Sequence, residues 1–185
     1  MPEFSRRTAL RLGAGAAGAA ALGSLAEPLS ASADPAAPTM VTGTFVSAAR
    51  GGVPTNWAIA RPPGQTRPLR AVIALHGKGS SAAQVMAGGV ENGLAQAVTA
   101  GLPPFAVVAV DGGGGYWHHR ASGEDAGAMV LDELIPMLGQ QGLDTSRVGF
   151  LGWSMGGYGA LLLGARLGPA RTCLLYTSDA ADDLL

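Results

Sequence analysis

The sequence predicts an α/β fold, a mostly parallel sheet with helices on both faces. Three observations predict it. Ala71–Leu75, Phe105–Val110 and Val148–Gly152 are short, nearly continuous apolar runs, which suits strands buried on both faces. Segments with apolar residues at helical spacing lie between and after them. Glycine and proline punctuate the junctions, at Pro62-Pro63-Gly64, Pro103-Pro104 and Gly168-Pro169 among others.

The elements follow in order. Thr44–Ala49 and Asn56–Arg61 alternate as strands do, and a Gly51-Gly52 turn between them predicts an antiparallel hairpin. Pro62, Pro63, Gly64 and Pro68 mark a loop before the strand Ala71–Leu75, which runs into His76-Gly77. Val85, Val90, Leu94, Ala97 and Val98 form an imperfect helical stripe, interrupted by Gly88-Gly89. After the strand Phe105–Val110 comes a loop rich in glycine and aromatic residues, Asp111–Gly123. Glu124 and Asp125 stand where they can cap the next helix, whose face is Met129, Val130, Leu134, Met137 and Leu138. Asp144–Arg147 reads as a turn, Val148–Gly152 as the third buried strand, and Met155 to Leu167 as a final helix. Strand–helix alternation implies right-handed crossovers and a parallel sheet, with functional groups at the carboxyl ends of strands. His76-Gly77-Lys78, Asp111 and Ser154 occupy such ends.

The two ends differ from the rest. Ser5-Arg6-Arg7-Thr8-Ala9-Leu10 carries the paired arginines of a twin-arginine (Tat) export signal, with Ala9 where phenylalanine is common. An Ala/Gly/Leu stretch and Ala31-Ser32-Ala33 as a cleavage site complete it, so residues 1–33 are expected to be a signal peptide and the protein to be secreted by a bacterium. The stretch is too short and glycine-rich to be a stable membrane anchor. From Cys173 the character changes abruptly, and residues 173–185 resemble the translated reading of a transposon-type sequencing adapter. Residues 34–172 are therefore expected to hold the domain, incomplete at its C-terminal side.

Composition removes several functions. A formal net charge of -1, without a basic run past the N-terminus, offers nothing to nucleic acid or an anionic membrane. One cysteine rules out an internal disulfide framework, and three histidines without HExxH spacing give no zinc site. The His118-His119 pair reads as solvated loop histidines, so neither a metal nor an organic cofactor is expected.

Gly152-Trp153-Ser154-Met155-Gly156 carries the chemistry. A G-x-S-x-G pentad between a buried strand and a helix makes a sharp turn that lifts the serine oxygen clear of the sheet. Side chains two residues before and after would collide, hence Gly152 and Gly156, and the helix that follows turns its positive end toward developing negative charge. Gly157 and Gly159 read as giving that helix a close approach to the sheet. Ser154 is thus the candidate nucleophile. An oxyanion hole needs two backbone N–H groups on one oxygen; Met155 and Lys78 are the candidates, Gly77 and Gly79 letting the second loop turn inward. His76 then holds that loop rather than acting as base. Trp117, His118 and Arg120 either line an acyl or alcohol pocket or belong to a surface loop packed by its own aromatics.

Leu75-His76-Gly77 together with Gly152-Trp153-Ser154-Met155-Gly156-Gly157-Tyr158-Gly159-Ala160-Leu161 resembles the esterase branch of the α/β-hydrolases, which includes esterase D and the antigen 85 mycolyltransferases. The likeness runs from about Ala71 to Leu167. It implies a three-layer α/β-hydrolase fold and a Ser–Asp/Glu–His triad. It further implies an acyl-enzyme on Ser154, a small-molecule ester substrate, and no metal or cofactor. The family places acid and histidine after the elbow helix, whereas no histidine follows Ser154 here. Both are expected beyond residue 172, and the chain without them is expected to be inactive. A carboxylic-ester hydrolase, an acyltransferase of mycolyltransferase type and a non-enzymatic binder with a relic elbow are the readings left open; oligomeric state and substrate are not legible.

Overall fold

The protein is described by a computed structural model over residues 39–176. The expected signal segment 1–33 and residues 177–185 lie outside the described residues. Six strands form one sheet: β1 (Met40–Ser47), β2 (Val53–Ala60), β3 (Arg70–Leu75), β4 (Phe105–Val110), β5 (Asp144–Gly152) and β6 (Thr172–Tyr176), in spatial order β1-β2-β4-β3-β5-β6. β1 and β2 form the predicted hairpin, of which β2 pairs antiparallel with β4, while β4, β3, β5 and β6 run parallel. The hairpin is shifted against expectation: its strands start earlier, and Ala48 to Gly52 make the turn.

Helices lie on both sides. α1 (Ala82–Ala87) and α2 (Val90–Thr99) replace the single imperfect helix, broken where Gly89 adopts φ 89°. α3 runs Ala126–Ala128, widens to π pitch over Met129–Leu134 and returns to α over Ile135–Gln140. Pro136 explains the widening: it has no N–H to donate, and its ring would press on the carbonyl four residues back in regular α pitch. α4 spans Met155–Leu167 and stops at Gly168, φ 78°. Alternation along the strands sorts the two cores. Ile73, Leu75, Val108, Val110 and Phe150 pack with α3 and α4, whereas Ala74, Val107 and Ala109 pack with α1 and α2. This second side is only partly covered: Val72, Phe105 and Leu151 stay half-buried around an apolar groove of about 490 Å³.

One expectation at the C-terminal side is corrected. Asp144–Arg147 is both turn and strand: Asp144 accepts hydrogen bonds from Ser146 N–H (3.0 Å) and Oγ (2.6 Å), and the extra residues bulge out of the ladder with β3. Beyond α4, Thr172–Tyr176 pairs with Val148–Gly152 as β6, so the strand runs across the compositional break at Cys173.

Candidate active site

The carboxyl ends of β3, β4 and β5 lie side by side, because Leu75 pairs with Gly152 and Ala74 with Ala109. Three loops leave this edge. The loop after β5 is only two residues long, Trp153 and Ser154. Gly156 N–H donates to Trp153 C=O at 2.9 Å, so Trp153 to Gly156 form a tight turn with Ser154 at its second position. Ser154 has φ 51° and ψ −125°, a conformation that suits glycine and strains any residue with a Cβ. Its side chain is exposed. The glycines on either side are required by contact. A Cβ on Gly152 would sit 2.8 Å from Gly157 N, and one on Gly156 would sit 2.9 Å from His76 O and 2.6 Å from Leu75 C. Gly156 is therefore what lets α4 approach β3. Gly159, expected to do this, serves another neighbour: its face receives the Trp117 ring.

The loop after β3 begins with His76, which is fully buried. Gly112 N–H donates to His76 Nε2 at 2.9 Å, so Nε2 is the unprotonated nitrogen; Nδ1 then carries the proton and donates to Gly77 O at 2.8 Å. His76 thus ties the β3–α1 loop to the β4–α3 loop in one fixed, neutral tautomer. Next, Ser80 N–H donates to Gly77 O, closing a turn in which Gly79 takes φ 78°. The backbone N–H of Lys78 lies outside that turn's bond. The turn stands against the elbow, since a Cβ on Gly77 would be 3.1 Å from Trp153 Nε1 and 3.6 Å from Trp153 O. Met155 opens α4, so its N–H has no intrahelical acceptor. The two candidate oxyanion donors therefore sit on abutting segments beside Ser154, Lys78 in the turn after β3 and Met155 at the start of α4.

The loop after β4 divides its predicted residues. Trp117 is not part of any cleft surface. It is fully buried, edge-on to His76 with ring centroids 5.0 Å apart, and seated against Gly112 and Gly159. Tyr116 and Trp117 both adopt positive φ (57° and 59°), which turns the first ring outward and the second inward. His118 is half-buried, with Nδ1 2.7 Å from His119 O and Nε2 3.3 Å from Arg120 Nη1. With both ring nitrogens engaged it is not poised as a base. Arg120 is exposed and lies along Gly115. Asp111, the third strand-end candidate, is structural: Oδ1 accepts from Ala82 N–H at 2.7 Å and Oδ2 from Asn56 Nδ2 at 3.0 Å. Asp125 caps α3 through Ala128 N–H at 2.8 Å, but Glu124 instead pairs with Arg50 Nε at 2.8 Å.

Two groups of residues escaped the sequence reading. Exposed Tyr158, one turn after Ser154, meets Tyr116 at 6.1 Å and His118 at 6.2 Å between ring centroids, forming an aromatic wall beside the elbow. The polarity switch from Gly157 to Tyr158 in an otherwise Ala/Gly/Leu helix was the available signal. The second group is buried. Arg50 also donates to Asp111 O (2.7 Å) and Thr55 Oγ1 (3.0 Å), and Glu133 accepts from Ser47 Oγ (2.6 Å) and Ala49 N–H (2.8 Å). This network fastens the β1–β2 turn to both ends of the β4–α3 loop. Among the described residues no cluster of His, Cys, Asp and Glu could hold a metal.

This architecture is the α/β-hydrolase fold. Solved structures resemble it at low sequence identity. A ferulic acid esterase aligns with 73% of the chain at 20% identity and TM-score 0.63. The S-formylglutathione hydrolase of Agrobacterium tumefaciens aligns with 72% at 24% identity and TM-score 0.58. The fluorophosphonate-binding serine hydrolase FphF of Staphylococcus aureus aligns with 74% at 21% identity and TM-score 0.62. The chain spans 55% of the length of each of these three structures. No protein-family profile and no curated protein sequence matches it.

Proposed function

We propose that the protein is a serine hydrolase of carboxylic esters that works through an acyl-enzyme on Ser154. The observation that carries this is the backbone of Ser154: an exposed hydroxyl held in a glycine-type conformation at the tip of a strand–helix turn. Strain of this kind persists only where surrounding contacts enforce it, and it concentrates at reacting groups. In the proposed reaction Ser154 Oγ adds to the ester carbonyl. The N–H groups of Met155 and Lys78 receive the resulting oxyanion, the alcohol leaves, and water releases the acid. Three of the similar structures carry esterase or hydrolase names, which fits this reading.

No described residue is placed as the base, and His76 is sequestered as a neutral donor–acceptor bridge. The acid and histidine of the triad are assigned to residues beyond 172, and the protein is assigned to Tat-dependent export. The test has two arms. The product of the full reading frame should react with a fluorophosphonate probe at the Ser154 peptide and lose the reaction in Ser154→Ala; an unlabelled Ser154 would overturn the assignment. The 185-residue chain should not turn over p-nitrophenyl acetate. Turnover that Ser154→Ala abolishes would show that the activating groups lie inside it.

A further inference from the structure

The β4–α3 loop brings a cation to the elbow that the proposed acyl transfer does not use. Tyr158 is the link between them. Its N–H donates to Ser154 O at 3.1 Å, and helical side chains lean toward the helix N-terminus, so its ring lies on the Ser154 side of α4. Tyr116 and His118 stand edge-on to that ring, with centroids 6.1 and 6.2 Å from it. Behind His118 comes Arg120, its Nη1 3.3 Å from His118 Nε2. A guanidinium only donates, so Nε2 is the acceptor and Nδ1 carries the proton given to His119 O.

Arg120 is exposed but not loose. Its N–H donates to Glu124 O at 2.8 Å, and its C=O accepts from Gly123 N–H at 2.9 Å. Its stem lies along Gly115, where a Cβ would be 3.3 Å from Cγ and 3.6 Å from Cδ. Its head is fixed through Nη1 by a neutral His118. The opposite edge, Nε–H and Nη2–H, stays open as a planar fork that matches the two oxygens of a carboxylate. No described residue fills that fork: the ion pairs among the described residues are Arg50 with Glu124 and Arg70 with Asp144. The other carboxylates of the loop are engaged elsewhere, Asp111 with Ala82 N–H and Asn56 Nδ2, and Asp125 with Ala128 N–H.

We propose that the ester attacked by Ser154 carries a carboxylate of its own, which Arg120 receives, while an apolar spacer lies along Tyr158 and Tyr116. The substrate class is then a half-ester of a dicarboxylic acid, or an ester of a hydroxy acid. The two tyrosine rings are 50% and 42% exposed, which leaves hydrocarbon surface for the spacer to cover. A phosphate monoester would bring a further charge with no further cation on this wall. An uncharged ester would leave the fork empty. The proposal rests on the acyl-enzyme at Ser154 and adds what the site selects.

Kinetics on the product of the full reading frame test it. The p-nitrophenyl half-esters of succinate, adipate and suberate, against p-nitrophenyl butyrate, probe a carboxylate on the acid side. On the alcohol side the pair is p-acetoxybenzoate against phenyl acetate. At least one carboxylated ester should exceed its neutral partner in kcat/KM by about fivefold, through KM, the factor an exposed two-bond ion pair supplies, and added salt should shrink the excess. Arg120→Gln should abolish the excess and Arg120→Glu should reverse it, so a folding failure in one variant leaves the other decisive. Arg67→Gln, an exposed arginine ahead of β3 and so at the far end of the sheet, should keep it. No excess in any pair, an excess that survives both Arg120 variants, or one lost equally in Arg67→Gln would overturn the proposal. So would fluorophosphonate labelling of Ser154 without turnover of any carboxylated ester, which leaves the hydrolase reading standing. An unlabelled Ser154 would sink the hydrolase reading and the carboxylate assignment with it.

Discussion

Replacing Ser154 with glycine should make the protein more stable, and the size of the gain measures the elbow. At φ 51° and ψ −125° a Cβ costs about 1–3 kcal/mol. Glycine relieves this but frees the unfolded chain, which offsets about 0.4–1 kcal/mol. The hydroxyl is exposed and donates no hydrogen bond to a described residue, so its loss should shift stability by no more than about 0.5 kcal/mol. The net expectation for Ser154→Gly is a gain of about 1 kcal/mol, or roughly 2–4 °C in melting temperature for a chain of this size. Ser154→Ala is the internal control, since it removes the same hydroxyl and keeps the Cβ; it should melt within about 1–2 °C of the parent. Calorimetry or circular dichroism on the three proteins decides the matter without any substrate. A glycine variant no more stable than the alanine variant would mean that Ser154 is unstrained, and the strongest argument for a nucleophile at this position would fail.

Other perturbations probe what holds the elbow in place. His76→Ala should cost about 2–5 kcal/mol, because Gly112 N–H and Gly77 O lose a buried partner and a void opens beside Trp117; a loss below about 1 kcal/mol by urea denaturation would refute the bridging role. Gly156→Ala should destabilise by about 3 kcal/mol or prevent folding, since its Cβ meets backbone atoms of Leu75 and His76 that cannot move independently of β3. By contrast Gly93→Ala, in open space in the middle of α2, should stabilise by about 0.5–1 kcal/mol, and the two melts together test whether glycine demand is local to the elbow. Hydrogen bonds from Ser146, first from its hydroxyl and then from its N–H, hold the Asp144 carboxyl below its usual 3.8. A depressed folded pKa stabilises above the unfolded value and is lost as pH falls through the folded one. Asp144→Asn should therefore be slightly less stable than the parent near neutrality and indistinguishable from it in strong acid, as followed by melts down the acid range.

The parts of this protein legible in its sequence are those whose cause is local. Ala71–Leu75 and Phe105–Val110 announce buried strands because each residue's own apolarity reports both faces of the sheet. Ser154 is legible for the same reason: the turn that strains it needs glycine two positions to either side, and both are within the pentad. What could not be read depends on partners far along the chain. Arg50 and Glu124 stand 74 residues apart, and nothing near either one marks it as half of an ion pair, so Glu124 passed for a helix cap beside Asp125. The break between turn and strand at Asp144 was hidden because Asp-Thr-Ser reads as a loop wherever it occurs, while its pairing with Arg70 is set by β3.

Trp117 shows how such distant causes reach the site. From sequence, a tryptophan among glycines next to two histidines suggests a ring exposed to ligand. In the fold Gly112 precedes it by five residues and Gly159 follows it by 42, and the two glycines leave the flat spaces against which one indole seats. The indole then presses on the elbow helix at one face and on His76 at an edge, and His76 in turn fixes the loop that carries Lys78. Glycines in two separate segments thus serve one purpose, a floor beneath an exposed serine. That floor is built entirely from residues that precede the end of α4, so the strained backbone of Ser154 is set by described residues alone.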